Sequence, residues 1–353
     1  MARIKFGDRH IGEGEPCYLV AEIGANHDGD PEKCLELVRL AAAAGADAVK
    51  LQTYTAAELV ADPQRVITWG PEEQERSETI GGLFDRLALP RKAHAAIFAE
   101  AKRLGVTIFS TPFSLDGIGF LAGLGVPGWK IASSDIQYGG MLDALAATGQ
   151  PVIMSTGKHT LAEVDAAVSR LRRGGCRELV LLHCIAQYPA PMDEMNLRSI
   201  PALQGIYPDA AVGLSDHSIG VTAGLGAVAL GARMIEKHFT YNKAADGPDH
   251  WFSADPAEFA ALVRGTREME AALGGVRLGV TESEIAERRN AVRSLVTARP
   301  IKAGQPVTAE DLTALRPGWG VNPMQMESVL GLAPGRDLPA GQVLTWDDFK
   351  PAP

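Results

Sequence analysis

Two histidines, two lysines and a glutamate each sit at the end of a short apolar run, where a chain displays chemistry rather than packing. His217 follows the run at 211–214, and His238 follows Met234-Ile235. Two neutral imidazoles at neighbouring strand ends, completed by oxygen ligands, suit a divalent ion such as Mn²⁺, Zn²⁺ or Fe²⁺. One such histidine alone reads as a satisfied core imidazole; the pair, with Glu22 able to approach, reads as a metal site. Lys50 and Lys130 close two otherwise apolar runs. An unpaired ammonium there is costly, so each needs an anion. That anion is an internal carboxylate such as Asp135 or Glu236, or a phosphate or carboxylate of a ligand. Thr111, Ser133, Ser134, Ser155 and Thr156 add hydroxyls, and Gly157 lets backbone N–H groups come close. With the two lysines on neighbouring strands, the cluster reads as a phosphate cradle. Glu22 is either a salt-bridge partner for those lysines or a general base or water-orienting group. Glu236 and Lys237 point oppositely on a strand, and an ion pair closing the barrel floor is the favoured reading. Asp249, in Gly247-Pro248-Asp249-His250, either stabilises a turn or binds sugar hydroxyls.

The elements that must position these groups alternate in type. Apolar runs at 18–23, 48–52, 106–110, 129–132, 152–154, 179–184, 211–214 and 234–235 are separated by helical patterns. One such pattern, at 31–44, spaces Cys34, Leu37, Val38 and Ala41 along one face and stops at Gly45. Strand–helix alternation of this length predicts a closed parallel (β/α)8 barrel, with chemistry at the C-terminal strand ends. A doubly wound open sheet would confine its chemistry to one switch point. The polar segment 54–89 interrupts the rhythm and is expected to form a loop with short helices over the site. The expected domains are a catalytic barrel over 1–278, a charged linker or helix over 279–290 and a small β-rich unit over 291–353. Within the last, Ile301-Lys302-Ala303-Gly304-Gln305 and Leu338-Pro339-Ala340-Gly341-Gln342 look like two copies of one turn.

Composition narrows the function. The 353 residues are 46% hydrophobic and 22% charged, with a net charge of -9, which argues against nucleic acid as a partner. The four cysteines, Cys17, Cys34, Cys176 and Cys184, have no metal-ribbon spacing and read as reduced thiols of a cytoplasmic protein. The N-terminal sixteen residues have no apolar core of a secretion signal, and no run approaches the ~20 residues needed to span a bilayer.

Taken together, the motifs resemble the sialic acid synthase family, the nonulosonate synthases. The pieces are AEIGANHDG at 21–29, VKLQTY at 49–54, FSTPFS at 109–114, WKIASSD at 129–135, STG at 155–157, LLHCIAQYPAP at 181–191, GLSDHS at 213–218, EKHFT at 236–240, GPDH at 247–250 and RPGWG at 316–320. The resemblance implies a (β/α)8 barrel, also called a TIM barrel, followed by a small antifreeze-like (SAF) domain. It implies condensation of phosphoenolpyruvate with an open-chain N-acetylated amino sugar of the N-acetylmannosamine type, with release of phosphate. By position, His217 and His238 would hold a divalent metal, Mn²⁺ or Mg²⁺, with Glu22 beside them. Lys50, Thr111, Lys130, Ser133, Ser134 and Ser155 would bind phosphoenolpyruvate, with Asp135 beside them. Gln52, Tyr188 and Asp249 would border the sugar. Arg316 would reach into a partner's barrel, implying a domain-swapped homodimer. Two departures stand out. Asp135 occupies a position where many members have Glu, and Ala186 stands near where neuraminate-forming members have Asn. The second departure leaves legionaminic and pseudaminic acid synthesis, from diacetamido-trideoxy sugars, as an alternative. Other phosphoenolpyruvate–aldose synthases and a non-catalytic carbohydrate-binding protein are the more distant readings.

Overall fold

The computed structural model describes residues 2–71, 73 and 75–350. The chain divides into two compact units, Met1–Gly274 and Gly275–Pro353.

The first unit contains eight parallel strands: β1 Tyr18–Glu22, β2 Ala48–Thr53, β3 Thr107–Pro112, β4 Trp129–Ile131, β5 Val152–Ser155, β6 Leu179–Cys184, β7 Ala211–Asp216 and β8 Met234–His238. They hydrogen-bond in the order β3-β2-β1-β8-β7-β6-β5-β4, and the ends of that row, β3 and β4, lie side by side. The sheet is therefore a closed barrel, and the open doubly wound alternative falls. Helices between the strands cover its outside. The first, Pro31–Ala43, starts at Asp30, whose carboxylate accepts from the Glu32 N–H, and buries Cys34, Leu37, Val38 and Ala41 at helical spacing.

Side chains alternate along each strand, so every second residue enters the barrel. The lower layers are apolar: Tyr18 and Val20, Ala48, Phe109, Ile153, Val180 and Leu182, Ala211 and Met234 form one buried cluster. Gly213 belongs here for lack of space, since a Cβ on it would meet the Met234 carbonyl oxygen at 2.2 Å. A hairpin that the sequence reading did not anticipate, Arg3–Phe6 paired with Arg9–Gly12, plugs the bottom. It adds Ile4, Phe6 and Ile11 to the cluster, and the Phe6 ring stands edge-on to Tyr18 and Phe109. Two residues further up each strand, the same alternation turns polar.

The segment 54–89 folds as a helix at Ala56–Leu59, a hairpin of Val66–Trp69 with Arg76–Thr79, and a helix at Ile80–Leu87. The expected loop with short helices thus also holds a two-stranded ribbon. Among the described residues, no helix is long and apolar enough to cross a membrane.

In the second unit the two matching turns face each other. Ile301 and Leu338 exchange backbone hydrogen bonds of 2.9 and 2.8 Å. Around them the pattern recurs: Thr308 is capped by Asp311 and Thr345 by Asp348. Arg299 binds Asp311 as Arg336 binds Asp348. Leu295, Ile301, Val307, Leu312, Val321, Val329, Leu338 and Leu344 form its core. The stretch 279–290 includes most of a capped helix, Glu282–Ala291.

Candidate active site

The polar layer above the apolar plug opens into a cavity of about 640 Å³. One side of it is cationic. Lys50 on β2 and Lys130 on β4 are both buried. They are not on neighbouring strands: β3 runs between them because the barrel keeps chain order there, and it places Thr111 in the gap. The Lys50 Nζ bonds the Thr111 hydroxyl at 3.2 Å, and the Lys130 Nζ bonds the Ser155 hydroxyl at 2.7 Å and the Ile131 carbonyl at 3.0 Å. Ser133, Ser134 and Asp135 line the same side, and the Ser134 hydroxyl donates to the Asp135 carboxylate at 3.1 Å.

Two carboxylates neutralise part of this charge. Glu22 pairs with Lys50 and accepts from the Gly24 N–H at 2.7 Å and the Gln52 amide at 3.2 Å. Glu236 Oε1 lies 3.5 Å from the Lys50 Nζ and 3.8 Å from the Lys130 Nζ, and accepts from the Ser215 hydroxyl at 3.2 Å. Its other oxygen, Oε2, is buried with no hydrogen-bond partner. Burial favours neutral Lys130 and holds its ammonium below the ordinary lysine range, against the pull of Glu236. At Lys50 burial acts the same way, but Glu22 and Glu236 overcome it and raise the value.

Glu236 is thus an internal counter-ion of both lysines, one of the two partners expected for them, and not part of a floor ion pair. Alternation sends Glu236 inward with His238, whereas Lys237 points into the wall. There its Nζ binds Asp216 Oδ2 at 2.9 Å and the Ser218 carbonyl at 2.7 Å. That shared inward face was readable in the sequence: Glu236 and His238 are two residues apart on one strand.

The opposite side carries the imidazoles. The rings of His217 and His238 lie 5.3 Å apart, and Tyr188 leans on His217 at 4.2 Å. The His217 Nδ1 lies 2.8 Å from the Ile185 carbonyl, an acceptor only, so Nδ1 carries the proton and Nε2 keeps a free lone pair. Burial, and then His238 beside it, pushes His217 down to about 4, which keeps it neutral. The His238 Nδ1 is buried without a hydrogen bond, with Asp249 Oδ2 at 3.3 Å. Two imidazoles whose rings lie this close fit a divalent cation. Among the described residues no group of three or more His, Cys, Asp and Glu side chains is gathered for a metal, so water and substrate would complete the coordination.

Of the residues singled out from sequence, Lys50, Gln52, Thr111, Lys130, Ser133, Ser134, Asp135, Ser155, Tyr188, His217, His238 and Asp249 all line this cavity, with Glu22 bound to two of them. Arg316 belongs to the second unit, where it is exposed. The sequence reading missed Tyr54, Phe84 and Arg65 from the inserted segment, along with Cys184 and Lys158. Thr156 is not in this cavity: its hydroxyl donates to the Leu182 carbonyl at 3.1 Å, and it lines a separate, larger groove of about 1290 Å³ that holds none of the other expected cradle residues.

Two buried lysines on one side and two imidazoles on the other share the mouth of a parallel barrel above an apolar plug. Comparison gives the family. The NeuB family profile matches residues 37–277 and the SAF domain profile matches 292–350. An N,N'-diacetyllegionaminic acid synthase of Legionella pneumophila is 35% identical over 348 residues, 98% of each chain. A pseudaminic acid synthase of Campylobacter jejuni is 35% identical over 335 residues, 94% of this chain and 96% of its own. The solved N-acetylneuraminic acid synthetase of Leptospira borgpetersenii, in complex with citrate, matches with a TM-score of 0.72 at 33% identity, covering 81% of this chain and 94% of that one. The chain belongs to the NeuB family, the nonulosonic acid synthases, and is an enzyme of that class.

Proposed function

We propose that this enzyme condenses phosphoenolpyruvate with the open-chain aldehyde of an N-acetylated amino sugar, giving a nonulosonic acid and phosphate. One observation carries the reading: two buried lysines with their hydroxyl neighbours and a pair of imidazoles share a single cavity. Lys50, Thr111, Lys130, Ser133 and Ser155 take the phosphate and carboxylate of phosphoenolpyruvate, with Ser134 and Asp135 at the edge. Gln52, Tyr188 and Asp249 border the sugar. C3 of the enol ester attacks the aldehyde carbon, and the aldehyde oxygen takes up a proton. Water adds at C2, and phosphate departs with the bridging oxygen. Glu22, fixed by the Gly24 N–H and by Lys50, orients that water or accepts its proton. A divalent cation, Mn²⁺ or Mg²⁺, held by His217 and His238 would polarise the aldehyde. Fixed charges and near-contact geometry supply most of what such a step needs.

The acceptor is either an N-acetylmannosamine-type sugar or a 2,4-diacetamido-trideoxy hexose. Ala186, which offers no amide at the sugar end, and the legionaminic and pseudaminic relatives favour the second. We further propose a domain-swapped homodimer in which Arg316 serves the partner's barrel. We place the enzyme in the cytoplasm, in keeping with its four buried free cysteines. Phosphate release with a panel of acetamido sugars, with mass spectrometry of the product, tests the reading. Turnover restricted to phosphorylated neutral aldoses would replace it with another aldose synthase, and sugar binding without turnover would replace it with a lectin-like protein.

A further inference from the structure

The turns after β1 and after β8 meet at the barrel mouth through side chains that the reaction above leaves unused. They are Asn26 and Asp28 on one side, and Thr240, Tyr241, His250 and Ser253 on the other. Asn26, Thr240 and His250 are fully buried, and Ser253 nearly so. Buried polar groups need partners, and these find most of theirs in one another, Asn26 Oδ1 alone among them being buried without one.

The Asn26 amide donates to the Phe239 carbonyl and to the Ser253 hydroxyl, each at 2.9 Å. The Ser253 hydroxyl in turn donates to the Asp249 carbonyl at 2.6 Å. Asp28 Oδ2 accepts from the Lys33 ammonium at 2.7 Å and the Tyr241 hydroxyl at 3.1 Å. Asp28 Oδ1 lies 3.2 Å from the His250 Nε2, so that nitrogen carries a proton toward the carboxylate. The other ring nitrogen of His250 lies 2.6 Å from the Thr240 hydroxyl, which also takes the Asn242 N–H at 3.0 Å. There is no spare room: a Cβ on Gly247 would lie 2.7 Å from His250 Cδ2 and 3.3 Å from Asp28 Oδ1. The Asn26–Ser253, Tyr241–Asp28 and His250–Asp28 bonds join the β1 turn to the segment 241–254, while Phe239 and Thr240, just before that segment, hold Asn26, Asn242 and His250 in place. The segment carries Asp249 to 3.3 Å from His238 and sets Phe252 with its ring 5.3 Å from the same imidazole.

We propose that Asp28 and His250, with the Asn26–Ser253 pair, are positioning residues that tether the 241–254 segment to the β1 turn and so hold Asp249 over the sugar end of the cavity. None of the four need touch the reacting atoms. A carboxylate displaced by about 1 Å loses much of its value to a bound substrate, and a tether two turns away can cause that displacement. The effect on sugar use rests on the reading of the site given above; the tether itself does not.

Two measurements on Asp28→Ala, His250→Ala and His250→Gln separate these points. The glutamine keeps an N–H that can reach Asp28. Hydrogen–deuterium exchange reads the tether: uptake across 241–254 rises in both alanine variants and returns toward wild type in His250→Gln, with barrel strands unchanged. Steady-state kinetics read the consequence: KM for the acetamido sugar rises about tenfold or more in the alanine variants while KM for phosphoenolpyruvate stays within about twofold. Should Asp28→Ala fail to fold, the two His250 variants carry the comparison. Wild-type exchange in 241–254 in the alanine variants overturns the proposal, as does an equal rise in both KM values. If the wild-type protein turns over no acetamido sugar, the functional reading falls, and exchange alone decides the tether.

Discussion

Asp216 and Lys237 stand opposite each other on neighbouring strands, and their side chains meet 2.9 Å apart inside the barrel wall. Each is one residue away from an imidazole of the site. Asp216 also takes the N–H and hydroxyl of Ser218 at 2.9 and 2.6 Å, which fastens the turn that carries His217. All three residues are almost completely buried. Lys237→Met should therefore cost about 3–5 kcal/mol, because it strands a buried carboxylate, and the added change Asp216→Asn should recover much of that loss. Urea denaturation of the two variants measures it; a single-variant loss below about 1 kcal/mol would mean that Asp216 finds water instead.

His217→Ala and His238→Ala should each lower turnover by about 100-fold or more, with the barrel still folded. A cation that binds the native protein raises its melting temperature by mass action. Mn²⁺ should do so for the wild type and not for either variant. Near-normal turnover in a folded variant would remove the metal assignment.

Lys130 gives the site a pH dependence of known sign. Burial lowers its pKa, so it loses its charge at a lower pH than a surface lysine does, whereas Lys50 is held charged by Glu22 and Glu236. Affinity for phosphoenolpyruvate should be full near neutrality and should weaken on the alkaline side, before the ordinary lysine range. Lys130→Arg, whose guanidinium stays protonated, should abolish that alkaline limb. A limb that persists in the arginine variant would assign it to another group.

Arg316→Ala should impair the reaction without unfolding the barrel. If it acts in trans, mixing Arg316→Ala with Glu22→Ala should restore activity, because some mixed dimers contain one site with both residues intact. Activity that stays at the level of the separate variants would put Arg316 in its own subunit's site or in none.

The barrel was legible because each strand is an apolar run that turns polar at one end, and that polarity marks the mouth. His217, His238, Lys50 and Lys130 were found in this way. Glu236 was legible as an internal counter-ion of Lys50 and Lys130 and serves both; what the sequence did not show is that Lys237, on the other face of the strand, pairs with Asp216 across to the neighbouring one. The hairpin Arg3–Phe6 and Arg9–Gly12 was not legible because each strand has four residues, too few for the alternation of exposed Arg3 and Lys5 with buried Ile4 and Phe6 to stand out. The ribbon of Val66–Trp69 and Arg76–Thr79 was not legible because both strands are half-exposed or exposed, without a buried face to mark them. Pairing across strands depends on register, which no single stretch of sequence displays.

Phosphoenolpyruvate held in the lysine cradle should lose phosphate by cleavage of its C–O bond as the new C–C bond forms. Phosphoenolpyruvate labelled with ¹⁸O at the bridging position tests this directly, with an acetamido sugar as acceptor and mass spectrometry of the released phosphate. The label should leave with phosphate, one phosphate per molecule of sugar-acid product. Unlabelled phosphate, or phosphate released without a condensed product, would contradict it.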